Sequence, residues 1–219
     1  MSPEDWGAIR LSLQTASAAT LAILLVGTPC AWILARLRFP GKSVLAALLT
    51  LPLALPPTVL GYVLLIIFSR RGWLGSWLER DFNLIIVFHW PGAVIAATTA
   101  AFPLFLIPAR AAFEGVDPHL ENAARLLGAK ESRVFLRITL PLAWRGLAAG
   151  TLLAFIRALG DFGATLMVLG NSPGPNQTAS LAIYNAVQEG DSTRAFWLSI
   201  VISLIALTTL IVVQKTQRS

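Results

Sequence analysis

Arg157 and Asp161 stand four residues apart in a stretch, Leu142 to Leu169, that is otherwise uncharged except for Arg145 near its start. On one helix such a pair can meet and partly neutralise itself. If the stretch crosses a bilayer, a lone charge at its centre would cost about 2.5 to 3.5 kcal/mol on insertion scales, so the pair must face protein or water. It is either a structural ion pair near the membrane boundary or a group that lines or gates a path. An enzyme built on it would need a second carboxylate or a metal set, and the uncharged stretches supply neither. Pro52, Pro56 and Pro57 are the other special chemistry, each removing a backbone donor inside an apolar run. Carbonyls freed that way line a hydrated cavity, meet neighbouring protein, or simply mark a bend. Thr58 and Tyr62 add hydroxyls on the same side, and Gly61 permits close packing one turn after Pro57.

No catalytic, cofactor or metal residue is expected. His89 and His119 are isolated from any ligand spacing. Gly41-Lys42-Ser43 imitates the end of a phosphate-binding loop, but Arg36 occupies the place of its first glycine and no strand precedes it. No serine, histidine and acid grouping carries a nucleophile-elbow pattern. Cys30 has no partner for a disulfide or metal, and Asn176-Gln177-Thr178 matches a glycosylation sequon by composition only.

The elements that must position these residues follow from composition. The chain has 219 residues, 56% of them hydrophobic and 13% charged, with mean hydropathy +0.70. Uncharged runs extend over Leu11–Ala35, Ser43–Ser69, Phe82–Ala109 and Ala195–Gln214. Each reaches the roughly 20 residues that cross about 30 Å of hydrocarbon. Continuous runs of this kind exclude disorder, a disulfide scaffold and a collagen-like chain, and disfavour a barrel of short alternating strands. With the interrupted run, the expectation is an all-α integral membrane protein of one transmembrane domain, 1–219, with spans at about 9–35, 44–69, 83–109, 142–169 and 195–214. Met1–Gly7 lacks the basic start of a signal peptide, so the first run reads as a retained helix. Net charge is +6, but the basic residues lie in the gaps between runs, where they orient a membrane protein, and nucleic acid is not an expected partner. Placing the N-terminus outside and the C-terminus in the cytoplasm puts eleven Lys and Arg on the inner side and five on the outer. Arg70 and Arg71 alone oppose that arrangement as a pair.

The longest and most charged connection is 110–141, inside in this topology. Asp117-Pro118 predicts a helix start, Leu120, Ala123, Ala124 and Leu127 fall at i, i+3, i+4 and i+7, and Gly128 predicts the stop. Ile138-Thr139-Leu140-Pro141 leads into the next span with proline at its entrance. Periodicity leaves open whether the small apolar face lies on lipid or enters a partner's groove. After the fourth span, 171–194 opens with the breaker-rich 171–176, and Ser180–Val187 reads as a short amphipathic or re-entrant helix. In the fourth span Gly146, Gly150, Ala154 and Ala158 form a small-residue strip for a close helix seam, within one chain or between two copies.

Ala123-Ala124, Gly128 and Ile138 to Pro141 together resemble the EAA loop of the membrane subunits of bacterial binding-protein-dependent ABC importers. The resemblance implies a type I importer permease fold and a cytoplasmic coupling helix seated in an ATP-hydrolysing subunit. Glu121, Asn122, Ala123, Ala124, Gly128, Ile138, Leu140 and Pro141 are then the coupling residues. Asn122 stands where that family has its glutamate, and Glu121 precedes it by about 100° of helix. Residues 51–62, Glu114 to Asp117 and Gly160 to Thr165 further resemble the molybdate permeases, which usually carry Glu at the place of Asp161. Tungstate and sulfate permeases share much of the pattern.

That resemblance implies a homodimer in the bacterial inner membrane, two copies of a cytoplasmic ATPase and an extracytoplasmic molybdate-binding protein. Pro56, Pro57, Thr58, Tyr62, Arg157 and Asp161 become pathway or gating candidates. A fixed anionic site holds a dianion poorly, which favours the structural role for the Arg157–Asp161 pair. An oxyanion needs a polar conduit, since a bare charge in hydrocarbon costs on the order of tens of kcal/mol. Five helices enclose one poorly, so a two-fold axis between two chains is the economical site. A self-sufficient channel or secondary transporter is the rival that needs no ATPase.

Overall fold

A computed structural model describes residues 2–171 and 177–218, and all the regular structure among them is helical. The first helix, α1, spans Pro3–Arg36. Ser2 caps it reciprocally: its amide donates to Asp5 Oδ2 at 2.7 Å and its hydroxyl accepts from the Asp5 amide at 3.3 Å. Pro3 takes the first turn, where no donor is lost. After a left-handed turn at Gly41 come α2 (Lys42–Ala54) and α3 (Pro57–Phe68). These two are bent by 116°. The sequence predicts a kink here; the chain instead breaks fully. Leu55 is extended at ψ 141°, as a residue before proline must be, and Pro56 follows at ψ 137°.

A short helix, α4 (Trp73–Phe82), ends at Asn83 in the left-handed region, and α5 begins only at Trp90, running to Glu114. The expected span at 83–109 therefore starts seven residues late: His89 caps α5 and Pro91 sits in its first turn. The segment after α5 holds α6 (Pro118–Leu126) and α7 (Glu131–Val134). A π turn over Phe135–Thr139 then joins α7 to α8 (Leu140–Leu159). Pro141 is thus not the entrance of a helix but lies within a continuous run from Glu131. Proline cannot donate to the carbonyl four residues back and its ring crowds it, and a widened turn just upstream relieves that. Likewise 142–169 is not one span: α8 stops at Leu159, and α9 (Gly163–Leu169) follows a break at Gly160 to Phe162. The chain closes with α10 (Ala179–Gln188), which extends the helix expected at 180–187, and α11 (Ser192–Arg218). The breaker-rich start of that connection lies largely outside the described residues.

Among the described residues, four helical segments are long and apolar enough to cross a membrane: Pro3–Arg36, Trp90–Glu114, Glu131–Leu159 and Ser192–Val212. Counted as one crossing, the bent α2–α3 pair would make five. The centre is α5, packed most extensively on α8 and α1. Its facing residues are small: Ala97, Ala101 and Ala109 on α5, Ala16, Ala19 and Ala31 on α1, and Ala143, Ala154 and Ala158 on α8 are all buried around Phe105 and Phe113. In lipid no hydrophobic force draws helices together, so close backbone approach must do so. A Cβ on Gly146 would sit 2.4 Å from the Ala112 Cβ, and one on Gly150 would sit 3.0 Å from the Phe105 carbonyl oxygen. The small-residue strip is therefore a seam within one chain. At one end of the bundle Arg194 Nε donates to Asp5 Oδ1 at 2.7 Å, and the Ala179 amide donates to Ser12 Oγ at 2.8 Å. These bonds latch the start of α1 to α10 and α11. By contrast, α2 buries no residue at all.

Candidate functional site

Two regions gather the residues that sequence singles out: the charged segment between α5 and α8, and the crossing of α3 and α9. In the first, Asp117 Oδ1 accepts from the His119 amide at 2.8 Å, and Pro118 occupies the first turn of α6. The helix ends as Gly128 predicts. At φ +82° this glycine allows the Gly128 amide to reach the Arg125 carbonyl at 2.9 Å and the Ala129 amide the Ala124 carbonyl at 3.0 Å. Between these caps α6 buries one side chain, Glu121. Leu120 and Ala123 face outward, and Leu126 and Leu127 are 90% and 88% exposed. Leu126 was not on the expected face; two leucines directly before a stop glycine were the available signal.

Glu121 points into the chain, not out of it. Its Oε1 accepts from Arg36 Nη2 at 3.0 Å and from the Thr139 hydroxyl at 2.6 Å. Arg36 Nη2 also donates to the Val116 carbonyl at 2.9 Å. Sequence reasoning missed Arg36 and Thr139. Arg36 looked like one more orienting charge at the end of a span, and the signal for Thr139 was a hydroxyl amid the apolar Ile138, Leu140 and Pro141. Asn122 faces solvent and accepts from Arg125 Nη1 at 2.8 Å. The Glu131 carboxylate accepts from Arg125 at 2.7 and 3.1 Å and holds that guanidinium above its ordinary pKa. Leu140 and Ile138 are half-buried and Pro141 is exposed. Phe135, in the π turn, meets Trp32 edge-on at 5.8 Å and Phe113 at 6.2 Å. A cavity of about 1010 Å³ separates the end of α1 from this segment, lined by Thr28, Trp32, Arg36, Glu121, Arg125 and Thr139 among others.

In the second region the short helices α3 and α9 cross. A Cβ on Gly61 would lie 2.7 Å from Met167 Cβ and 2.9 Å from Ala164 Cα, and one on Gly163 would lie 2.8 Å from Pro57 Cβ. Glycine at both crossing points is what lets the two backbones touch. Asp161 is buried in the break before α9. Its Oδ1 accepts from Arg157 Nη1 at 3.1 Å, while Oδ2 accepts from the Thr165 amide at 2.9 Å and the Thr165 hydroxyl at 2.7 Å. Both carboxylate oxygens are thus engaged in holding the end of α8 to the start of α9. Pro56, Pro57, Thr58 and Tyr62 are exposed on the single chain, Tyr62 to 54%. They do not enclose a channel by themselves. Among the described residues no group of His, Cys, Asp and Glu could hold a metal ion.

Comparison with known proteins agrees with this layout. Residues 27–217 match the family of binding-protein-dependent transport system inner membrane components. The molybdenum transport system permease protein ModB of Escherichia coli strain K12 is 45% identical over 94% of this chain and 92% of its own length. The ModB of Haemophilus influenzae is 43% identical over 91% of this chain and 89% of its own length. The sulfate transport system permease protein CysT of Escherichia coli K12 is 34% identical over 99% of this chain and 78% of its own length. Among solved structures, a bacterial ABC transporter importing the polysaccharide alginate has a chain that superposes with TM-score 0.75 at 17% identity, covering 100% of this chain and 79% of that one. The MetNI methionine ABC transporter in an inward-facing form gives 0.72 at 17% identity, covering 100% and 98%. At that identity the structures speak for the fold, and the fold is that of an ABC importer permease. The matched family and the curated relatives settle the rest: this chain belongs to the inner membrane components of binding-protein-dependent transport systems.

Proposed function

We infer that the chain is the membrane-spanning subunit of an ATP-driven molybdate importer. The observation that carries the coupling half of this reading is the pair Leu126 and Leu127, almost wholly exposed on a capped helix outside the apolar spans. An apolar tip held out by a charged segment fits a groove on a soluble partner. That partner is a cytoplasmic ATPase, present twice, and the 117–128 segment faces the cytoplasm with the C-terminus, the N-terminus lying outside. An extracytoplasmic binding protein delivers the anion to the opposite side. The cargo rests on the relatives: molybdenum permeases are 36–45% identical to this chain, whereas sulfate permeases are 33–34% identical.

Two copies complete the conduit. The exposed Pro56, Thr58 and Tyr62 and the bare α2 offer the surface that a second copy covers, and the conduit runs along the axis between them. Arg157 and Asp161 serve as the joint between α8 and α9 rather than as a resting place for the anion. The chain performs no chemistry on its cargo; hydrolysis in the partner supplies the work. Radiolabelled uptake in a deletion strain tests the cargo. Molybdate import is expected to collapse while sulfate import persists, and equal loss of both would overturn the assignment. Uptake driven by this chain alone in liposomes, without an ATPase, would establish the channel or secondary-transporter reading instead.

A further inference from the structure

The coupling helix α6 has little hold on the rest of the chain. Its apolar side chains face out, its packing is confined chiefly to α7 and the π turn, and a cavity of about 1010 Å³ lies between this segment and the end of α1. What crosses from α6 to the bundle is one buried carboxylate. Glu121 is 6% exposed and Thr139 1%. A single oxygen, Glu121 Oε1, joins three elements: α6 itself, α1 through Arg36 at 3.0 Å, and the π turn through Thr139 at 2.6 Å. Arg36 reaches past it to the Val116 carbonyl at the root of the segment, so the same guanidinium fixes both the helix and the chain entering it. Charge-assisted bonds of this kind are short and directional, and they transmit displacement where loose packing would not. The π turn is the receiving element: its hydrogen-bond ladder is already irregular and it lies directly below α8.

We propose that Glu121 is a positioning residue that carries the coupling stroke inward, pulling α1 through Arg36 and α8 through Thr139 when the partner ATPase moves α6. This rests on the docking of residues 117–128 to an ATPase but assigns Glu121 the opposite duty from a docking contact: the leucines grip the motor and the carboxylate grips the spans. A docking residue and a linkage residue fail differently. Loss of the first releases the ATPase. Loss of the second leaves it bound and hydrolysing, with strokes that no longer reach the conduit.

The test uses the complete complex of permease, ATPase and binding protein in proteoliposomes, with radiolabelled molybdate flux and ATP hydrolysis measured together. Three variants are compared with the unmodified complex: Glu121→Gln, the double Arg36→Met with Glu121→Met, and Thr139→Val. The double change leaves no uncompensated buried charge, so it separates linkage from simple destabilisation. All three are expected to co-purify with ATPase and keep hydrolysis within about twofold, while molybdate moved per ATP falls at least tenfold in the two Glu121 variants and severalfold in Thr139→Val. Thr139→Ser, which keeps the hydroxyl, should restore the ratio. A merely structural role would lower flux and hydrolysis in proportion and leave the ratio unchanged. An unchanged ratio in the double variant with ATPase still bound overturns the proposal alone. If the unmodified chain binds its ATPase elsewhere than 117–128, the docking reading fails and the proposal with it.

Discussion

Asp161 shows what a single buried carboxylate does when both of its oxygens are engaged. It takes one bond from Arg157 and two from Thr165, so it closes the gap between α8 and α9 while neutralising the cation beside it. Asp161→Ala removes the acceptor of the Thr165 amide in the first turn of α9, worth about 1 kcal/mol, and strips a charged partner from Arg157, worth roughly 2 kcal/mol more. Unfolding titration of the purified protein in detergent should register a loss near the sum of the two. Asp161→Asn, which keeps an acceptor for Thr165, should lose about half as much. The leucines of α6 sit at the other extreme, exposed and unbonded. Leu126→Asp with Leu127→Asp should leave unfolding unchanged within about 0.5 kcal/mol, as surface substitutions do, yet weaken ATPase association at least tenfold in co-purification.

Between residues and the whole lie the elements, and here sequence and coordinates part in instructive places. The caps of α6 are legible because Asp117-Pro118 and Gly128 act locally, through one side chain and one backbone angle. That the chain is built on long apolar helices is legible because hydrocarbon thickness fixes the length they need. The breaks are not, since Pro56 only signals a bend, and whether 116° results depends on where α3 finds a surface to meet, namely α9. The end of α8 at Leu159 is hidden because Asp161, which falls in the break at Gly160 to Phe162, stands at i+4 from Arg157 and so reads as the partner of that cation on one continuous helix. Glu121 facing inward was hidden too: its partners Arg36 and Thr139 are 85 and 18 positions away, beyond any helical spacing. The α3–α9 crossing makes its own prediction. Gly61→Leu forces a side chain against Met167 and Ala164 and should cost about 1 to 3 kcal/mol in the same unfolding titration, the usual penalty of overpacking. A serine there, smaller by two heavy atoms, should cost less.

As a whole, the molecule has one densely packed flank and one bare one. The alanine seam of α1, α5 and α8 is finished within the chain, while α2 and the exposed side of α3 await cover. A second copy on that side predicts that Tyr62→Cys, introduced with Cys30→Ser, forms a disulfide-linked dimer under mild oxidation in native membranes. A cysteine on the outward side of α11, such as Leu207→Cys, should not.

The latch between Asp5 and Arg194 has a consequence for biogenesis. The cation is made 189 positions after the acid. Until translation passes residue 194, the nascent polypeptide carries a carboxylate at one rim of α1 without its cation. Ribosomal products that stop short of residue 194 retain that defect permanently. Pulse–chase labelling should therefore show them degraded faster than full-length chains, and an Asp5→Asn change should lengthen their lifetime.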